Sequence, residues 1–93
     1  NGFVYLKEDE RELGVSEVEL QLIDFKNDIA KIVKSEYDGY FLFDDVLPGR
    51  YRLRISPDQT DKLGLASFPK SVSVEMTDEG KIVDGVEFIL KKK

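Results

Sequence analysis

The sequence predicts an all-β sandwich of seven strands, and three observations predict it. Polar and apolar residues alternate with period two through residues 17–22, 49–55, 71–76 and 86–90, the pattern of a strand buried on one face. Turn-forming residues separate these runs at short, regular spacing, as in a sandwich. No apolar i, i+3, i+4, i+7 pattern survives for two turns of helix.

The first strand is residues 2–6, with Val4 and Leu6 facing inward. The second, residues 17–22, alternates Glu17-Val18-Glu19-Leu20-Gln21-Leu22. Lys26-Asn27-Asp28 is a hairpin signal leading to the third strand, residues 29–35, whose phase stays open because Ile32 and Val33 are adjacent. Asp38-Gly39 marks the next turn, where glycine takes positive φ without a Cβ clash. The short fourth strand, residues 40–43, supplies Phe41 and Phe43 as a core pair.

Leu47-Pro48-Gly49 turns the chain again, Pro pre-setting φ and Gly supplying the bend. The fifth strand then places Tyr51, Leu53 and Ile55 on one face and Arg50, Arg52 and Arg54 on the other. Residues 57–69 read as a loop carrying Leu63, Leu65 and Phe68. Two readings of it stay open: a lid folded back on one end of the sandwich, or an apolar contact for a neighbouring domain. The sixth strand is residues 71–76, Asp78-Glu79-Gly80 is a further turn, and the seventh strand points Val86, Phe88 and Leu90 inward.

Composition narrows the function. Ninety-three residues hold one hydrophobic core. The chain has no Cys and no His, which removes disulfides, thiolate and imidazole metal sites, and the usual general bases. No cofactor is expected. A net charge of −5 argues against nucleic acid and anionic membrane surfaces as partners. No window approaches the ~20 apolar residues of a membrane span, so direct insertion is not expected. The start at Asn1-Gly2-Phe3 rather than Met reads as an excised domain or a processed chain.

Three groups remain as candidates for binding. Acidic runs at Glu8-Asp9-Glu10, Asp44-Asp45 and Asp78-Glu79 lack the Asp-x-Asp-x-Asp spacing and distal Glu of a calcium loop, and read as solvated turns. The Arg50, Arg52, Arg54 stripe reads either as cross-strand partners for Glu17, Glu19 or other carboxylates, or as a docking surface for an acidic partner. Tyr37 and Tyr40, flanking Asp38-Gly39, are the aromatic pair for a glycan contact, set against simple packing over the sheet edge.

Gly14-Val15-x-x-Val18-x-Leu20, Ser35-x-x-Asp38-Gly39-Tyr40-Phe41-x-Phe43, Val46-Leu47-Pro48-Gly49-x-Tyr51-x-Leu53 and Val83-Asp84-Gly85-Val86-Glu87-Phe88-x-Leu90 stand in order along the chain. Together they resemble the carboxypeptidase regulatory-like domains, a prealbumin-like (transthyretin-like) group that includes the Cna B-type repeats. The resemblance implies a prealbumin-like, Ig-like Greek-key sandwich spanning residues 1–93. It also implies a non-enzymatic structural or interaction module cut from a cell-surface, periplasmic or outer-membrane protein. Partners would be neighbouring domains or another protein; a carbohydrate-binding accessory role is the alternative, since starch-binding-like relatives share the sandwich. The Lys–Asn cross-link of Cna B-type domains is not expected: Lys7 stands at the Lys position, but Ile55 replaces the Glu and Leu90-Lys91 offer no Asn. Hydroxyisourate hydrolysis, another activity of this architecture, rests on His and is excluded with it.

Overall fold

The computed structural model describes residues 2–76 and 86–93. Two sheets face each other. One has the strand order β2-β1-β9-β7, with β5 also pairing β1; the other has the order β4-β3-β6-β8. The strands are β1 (Gly2–Glu8), β2 (Arg11–Gly14), β3 (Glu19–Ile23), β4 (Ile29–Lys34), β5 (Tyr40–Phe41), β6 (Gly49–Ile55), β7 (Leu65–Phe68), β8 (Val72–Met76) and β9 (Val86–Lys92), and one helix, α1 (Pro57–Leu63), lies between β6 and β7. The all-β sandwich is as predicted, with two short strands added. The Asp78-Glu79-Gly80 turn and Val83-Asp84-Gly85 lie outside the described residues.

The alternation read from sequence is the alternation of burial along β6, β8 and β9; along β3 it is not, because Gln21 and Ile23 on the outer side are buried as well. Leu20, Leu22, Leu53, Ile55, Val74 and Met76 from one sheet meet Val4, Phe41, Val86, Phe88 and Leu90 from the other, all buried. Phe43, just past β5, is buried with them, its ring edge-on to Phe41 at 6.2 Å between centroids. Leu6 and Tyr51 reach this core from positions that stay partly open. The ambiguous strand resolves with Val33 packed on the core and Ile32 outward.

Two contacts fix the approach of β1 to the 36–40 turn. The Val4 N–H donates to the Gly39 carbonyl at 2.8 Å, and Gly39 takes φ 88°, where a Cβ would lie 2.2 Å from the Val4 carbonyl oxygen. A Cβ on Gly14 would lie 2.0 Å from the Asp38 carbonyl oxygen. Backbone therefore packs on backbone here, which glycine alone permits.

The 57–69 segment is a helix and a strand, not a loop. Pro57 opens α1, Asp58 sits in its first turn, Lys62 in its last, and Gly64 closes it at φ 67° in the left-handed region. These are ordinary start and stop signals. With seven residues, however, α1 is too short to show a two-turn periodicity. Leu65–Phe68 then runs antiparallel to β9, pairing Leu65 with Lys92 and Phe68 with Ile89. β2 also escapes the alternation test, since all four of its residues are exposed; it is held by the hairpin pairing of Glu8 with Arg11 and Tyr5 with Gly14.

β1 and β9 are parallel neighbours, with Gly2 opposite Val86 and Leu6 opposite Leu90. Both strands therefore run from one end of the 41 Å long sandwich toward the other. The Asp24–Asp28 hairpin tip and the Leu47–Gly49 turn share the end where β1 starts. α1 and the Lys93 backbone, whose N–H donates to the Gly64 carbonyl, share the opposite end.

Candidate functional site

The outer face of the β4-β3-β6-β8 sheet carries the arginine stripe, as the alternation along β6 requires. Arg52 pairs across the sheet with Ile23 and Ser73, Arg54 with Gln21, and Arg50 with Glu75. Of the carboxylates expected across from the stripe, Glu75 stands opposite Arg50, while Glu17 lies 3.8 Å from Lys34 and Glu19 accepts from the Gln21 amide at 3.0 Å. The guanidiniums donate instead to neutral amides. Arg54 Nε donates to Gln21 Oε1 at 2.9 Å, and Arg52 Nη2 donates to Asn27 Oδ1 at 2.7 Å. Among the described residues, no carboxylate stands within ion-pair distance of Arg50, Arg52 or Arg54.

An open groove of about 710 Å³ runs along this face at the hairpin end, walled by Ile23, Phe25, Arg50, Arg52 and Ser73. Phe25, 85% exposed, is the feature that sequence reading missed. It follows Asp24, whose Oδ1 accepts the Lys26 and Asp28 N–H groups and so shapes the turn that holds the ring out. A second groove on the same side shares Arg52 and adds Arg54, Lys70 and Lys93.

Leu63, Leu65 and Phe68 do not form one patch. Leu65 packs on the core. Leu63 is 61% exposed, yet it also rims a cavity of about 80 Å³ between α1 and the core side chains Leu6, Val18 and Leu90. Phe68, half exposed, lies under the Lys91 ammonium, 5.3 Å from the ring centre. α1 is strapped to β3 by Gln59, whose Oε1 accepts the Glu19 N–H at 2.8 Å while its Nε2 donates to the Glu17 carbonyl at 2.9 Å.

The two tyrosines are also separated. Tyr37 is 87% exposed at the turn tip. Tyr40 packs edge-on against Phe3 at 5.4 Å, and Phe3 stacks on Tyr5 at 5.9 Å. Phe3, Tyr5 and Tyr40 thus form a half-buried aromatic strip on the outer face of the other sheet.

Glu8-Asp9-Glu10 and Asp44-Asp45 are exposed, and Asp44 pairs with Lys31 at 3.2 Å; Asp78-Glu79 lies outside the described residues. Among the described residues no three carboxylates converge on a metal-sized site. Lys7 is exposed opposite Glu12, while Ile55 and Leu90 are buried in the core.

Residues 1–84 match a family model described as BOS complex subunit NOMO1-like, second beta sandwich domain. This is a β-sandwich family related to the prealbumin-like folds. Neither the curated proteins nor the solved structures contain a match.

Proposed function

Because the chain belongs to the NOMO1-like family of second β-sandwich domains, we propose that it is a non-catalytic structural and interaction module of a larger, extracytoplasmic protein. The observation that carries this reading is the parallel pairing of β1 with β9. It sends whatever precedes β1 and whatever follows β9 away from opposite ends of a 41 Å body. That geometry suits a link in series between neighbours. The family description, a complex subunit containing a numbered sandwich, supports assembly with other domains or proteins.

Cross-linking mass spectrometry on the intact parent protein tests the reading. Lys26 at the hairpin end and Lys93 at the α1 end are expected to cross-link to different neighbouring segments. Cross-links confined to residues within this chain would overturn it.

A second reading, carbohydrate binding, is favoured by the Phe3–Tyr5–Tyr40 strip, since aromatic faces stack on sugar rings. It relocates the glycan contact from the Tyr37–Tyr40 pair to Tyr40 with its two neighbours on β1. On this reading Tyr5→Ala abolishes retention on a polysaccharide column while Tyr37→Ala does not. Equal retention of both variants would remove it.

A further inference from the structure

We propose that the outer face of β6 binds an extended acidic peptide segment of a partner protein, with carboxylates at alternate positions and an apolar side chain at one end. The proposal deepens the module reading and rests on it.

Three of the chain's four arginines stand on this one face, on a chain whose net charge is −5. A guanidinium offers five N–H donors. The described partners of Arg52 and Arg54 are single amide oxygens, which leave most of their donors and all of their charge uncompensated. The acidic neighbours are largely committed. Asp24 accepts two backbone N–H groups in its turn. Asp61, beside the second groove, pairs with Lys93 at 3.0 Å. Glu75, opposite Arg50, is the remaining carboxylate in the first groove's wall besides Asp24.

The spacing selects the ligand. Arginines at every second residue of a strand repeat at roughly 6.8 Å, which is also the repeat of alternate side chains on an extended peptide. Carboxylates at i, i+2 and i+4 of such a peptide therefore meet Arg50, Arg52 and Arg54 in register. Arg offers its donors in a planar fork that takes a carboxylate by two parallel bonds. At the Arg50 end, the exposed Phe25 ring and the groove it walls take an apolar side chain. An acidic polysaccharide also has ring faces to place against Phe25, but the roughly 6.8 Å repeat of the arginines is that of alternate side chains on an extended peptide, so the register favours peptide.

The test is a titration of the isotope-labelled 93-residue chain with a short synthetic peptide alternating Glu and Val and ending in Leu, followed by backbone amide NMR. Parallel titrations use the same peptide with Gln for Glu, and an oligogalacturonate. Saturable shifts confined to β6, β8 and the Asp24–Asp28 turn are expected with the Glu peptide alone. Binding should weaken roughly tenfold in Arg52→Glu, and should fall as salt shortens the Debye length. Arg52→Gln, which can keep the bond to Asn27 and loses the charge, serves where Arg52→Glu does not fold. Phe25→Ser should weaken the Leu-ended peptide and leave a peptide ending in Ser unaffected. No saturable binding, equal binding of the Gln peptide, shifts on another face, or tighter binding of the oligogalacturonate would each overturn the proposal. The module reading fails on a different result, the absence of cross-links to neighbouring segments, so the two failures are distinguishable.

Discussion

A single buried hydroxyl settles how the chain enters β3. Ser35 Oγ accepts the Val18 N–H at 3.0 Å and donates to the Val15 carbonyl at 2.6 Å. Its own carbonyl accepts the Glu17 N–H at 2.9 Å, with Glu17 held at φ 62°. Ser35 is itself buried. Replacing it with Ala strands a buried donor, so Ser35→Ala should lower unfolding free energy by about 1–3 kcal/mol in a urea titration. The Tyr51 hydroxyl does a similar task at the opposite end, donating to the Leu47 carbonyl at 2.7 Å and clasping the Pro48-Gly49 turn. It resembles the tyrosine corner of other sandwiches, but it is more exposed. Tyr51→Phe should therefore cost less, about 0.5–1.5 kcal/mol by the same measurement. At Gly39 a methyl group meets the Val4 carbonyl oxygen at 2.2 Å in a positive-φ turn. Gly39→Ala should cost more than the ~1–3 kcal/mol of an ordinary strained residue, with the loss seen as a lower thermal midpoint.

At the scale of elements, what was legible depended on which physical signal an element uses. β6, β8 and β9 are each buried on one face, so hydrophobic burial writes itself into every second residue; β3 alternates in sequence, but its outward Gln21 and Ile23 are buried too. β2 buries nothing and is held by its pairing to β1, which leaves no mark in hydropathy. α1 has no buried residue; its position depends on Gln59 hydrogen-bonding backbone 40 and 42 residues away in sequence, a contact no local pattern announces. The candidate site divides the same way. The Arg50, Arg52, Arg54 stripe was legible as alternation, but its partners were not. The register puts Gln21, Ile23, Ser73 and Glu75 beside it, and Glu17 and Glu19 turn elsewhere. Phe25 was hidden because a turn built on Asp24, rather than any apolar run, presents it. Gln59→Ala should accordingly free α1 while sparing the sheets. Hydrogen exchange should then quicken in the first turns of α1 and at Glu19, with the amides of β1 and β9 unchanged. Faster exchange throughout the chain would show instead that α1 is part of the global core.

On the scale of the whole molecule, the residues that hold the fold and the proposed binding surfaces are separate. The core is apolar and closed between the sheets, with no buried side-chain polar atom left without a partner among the described residues. That arrangement lets the outer faces vary without threatening the fold. One outer face is basic and grooved, and the other bears an aromatic strip. The Phe25 and Leu47 side chains stand exposed at the end where β1 begins. On the proposed reading, the larger protein covers some of these surfaces in its native setting.

Hydrogen exchange compared between the intact parent protein and the isolated 93-residue chain tests that claim most directly. The account predicts slower exchange in the parent at the Asp24–Asp28 and Leu47–Gly49 turns and along β8, with core strands unchanged. Identical profiles in the two settings would contradict it, because a module that touches no neighbour leaves every surface amide as free in the parent as alone.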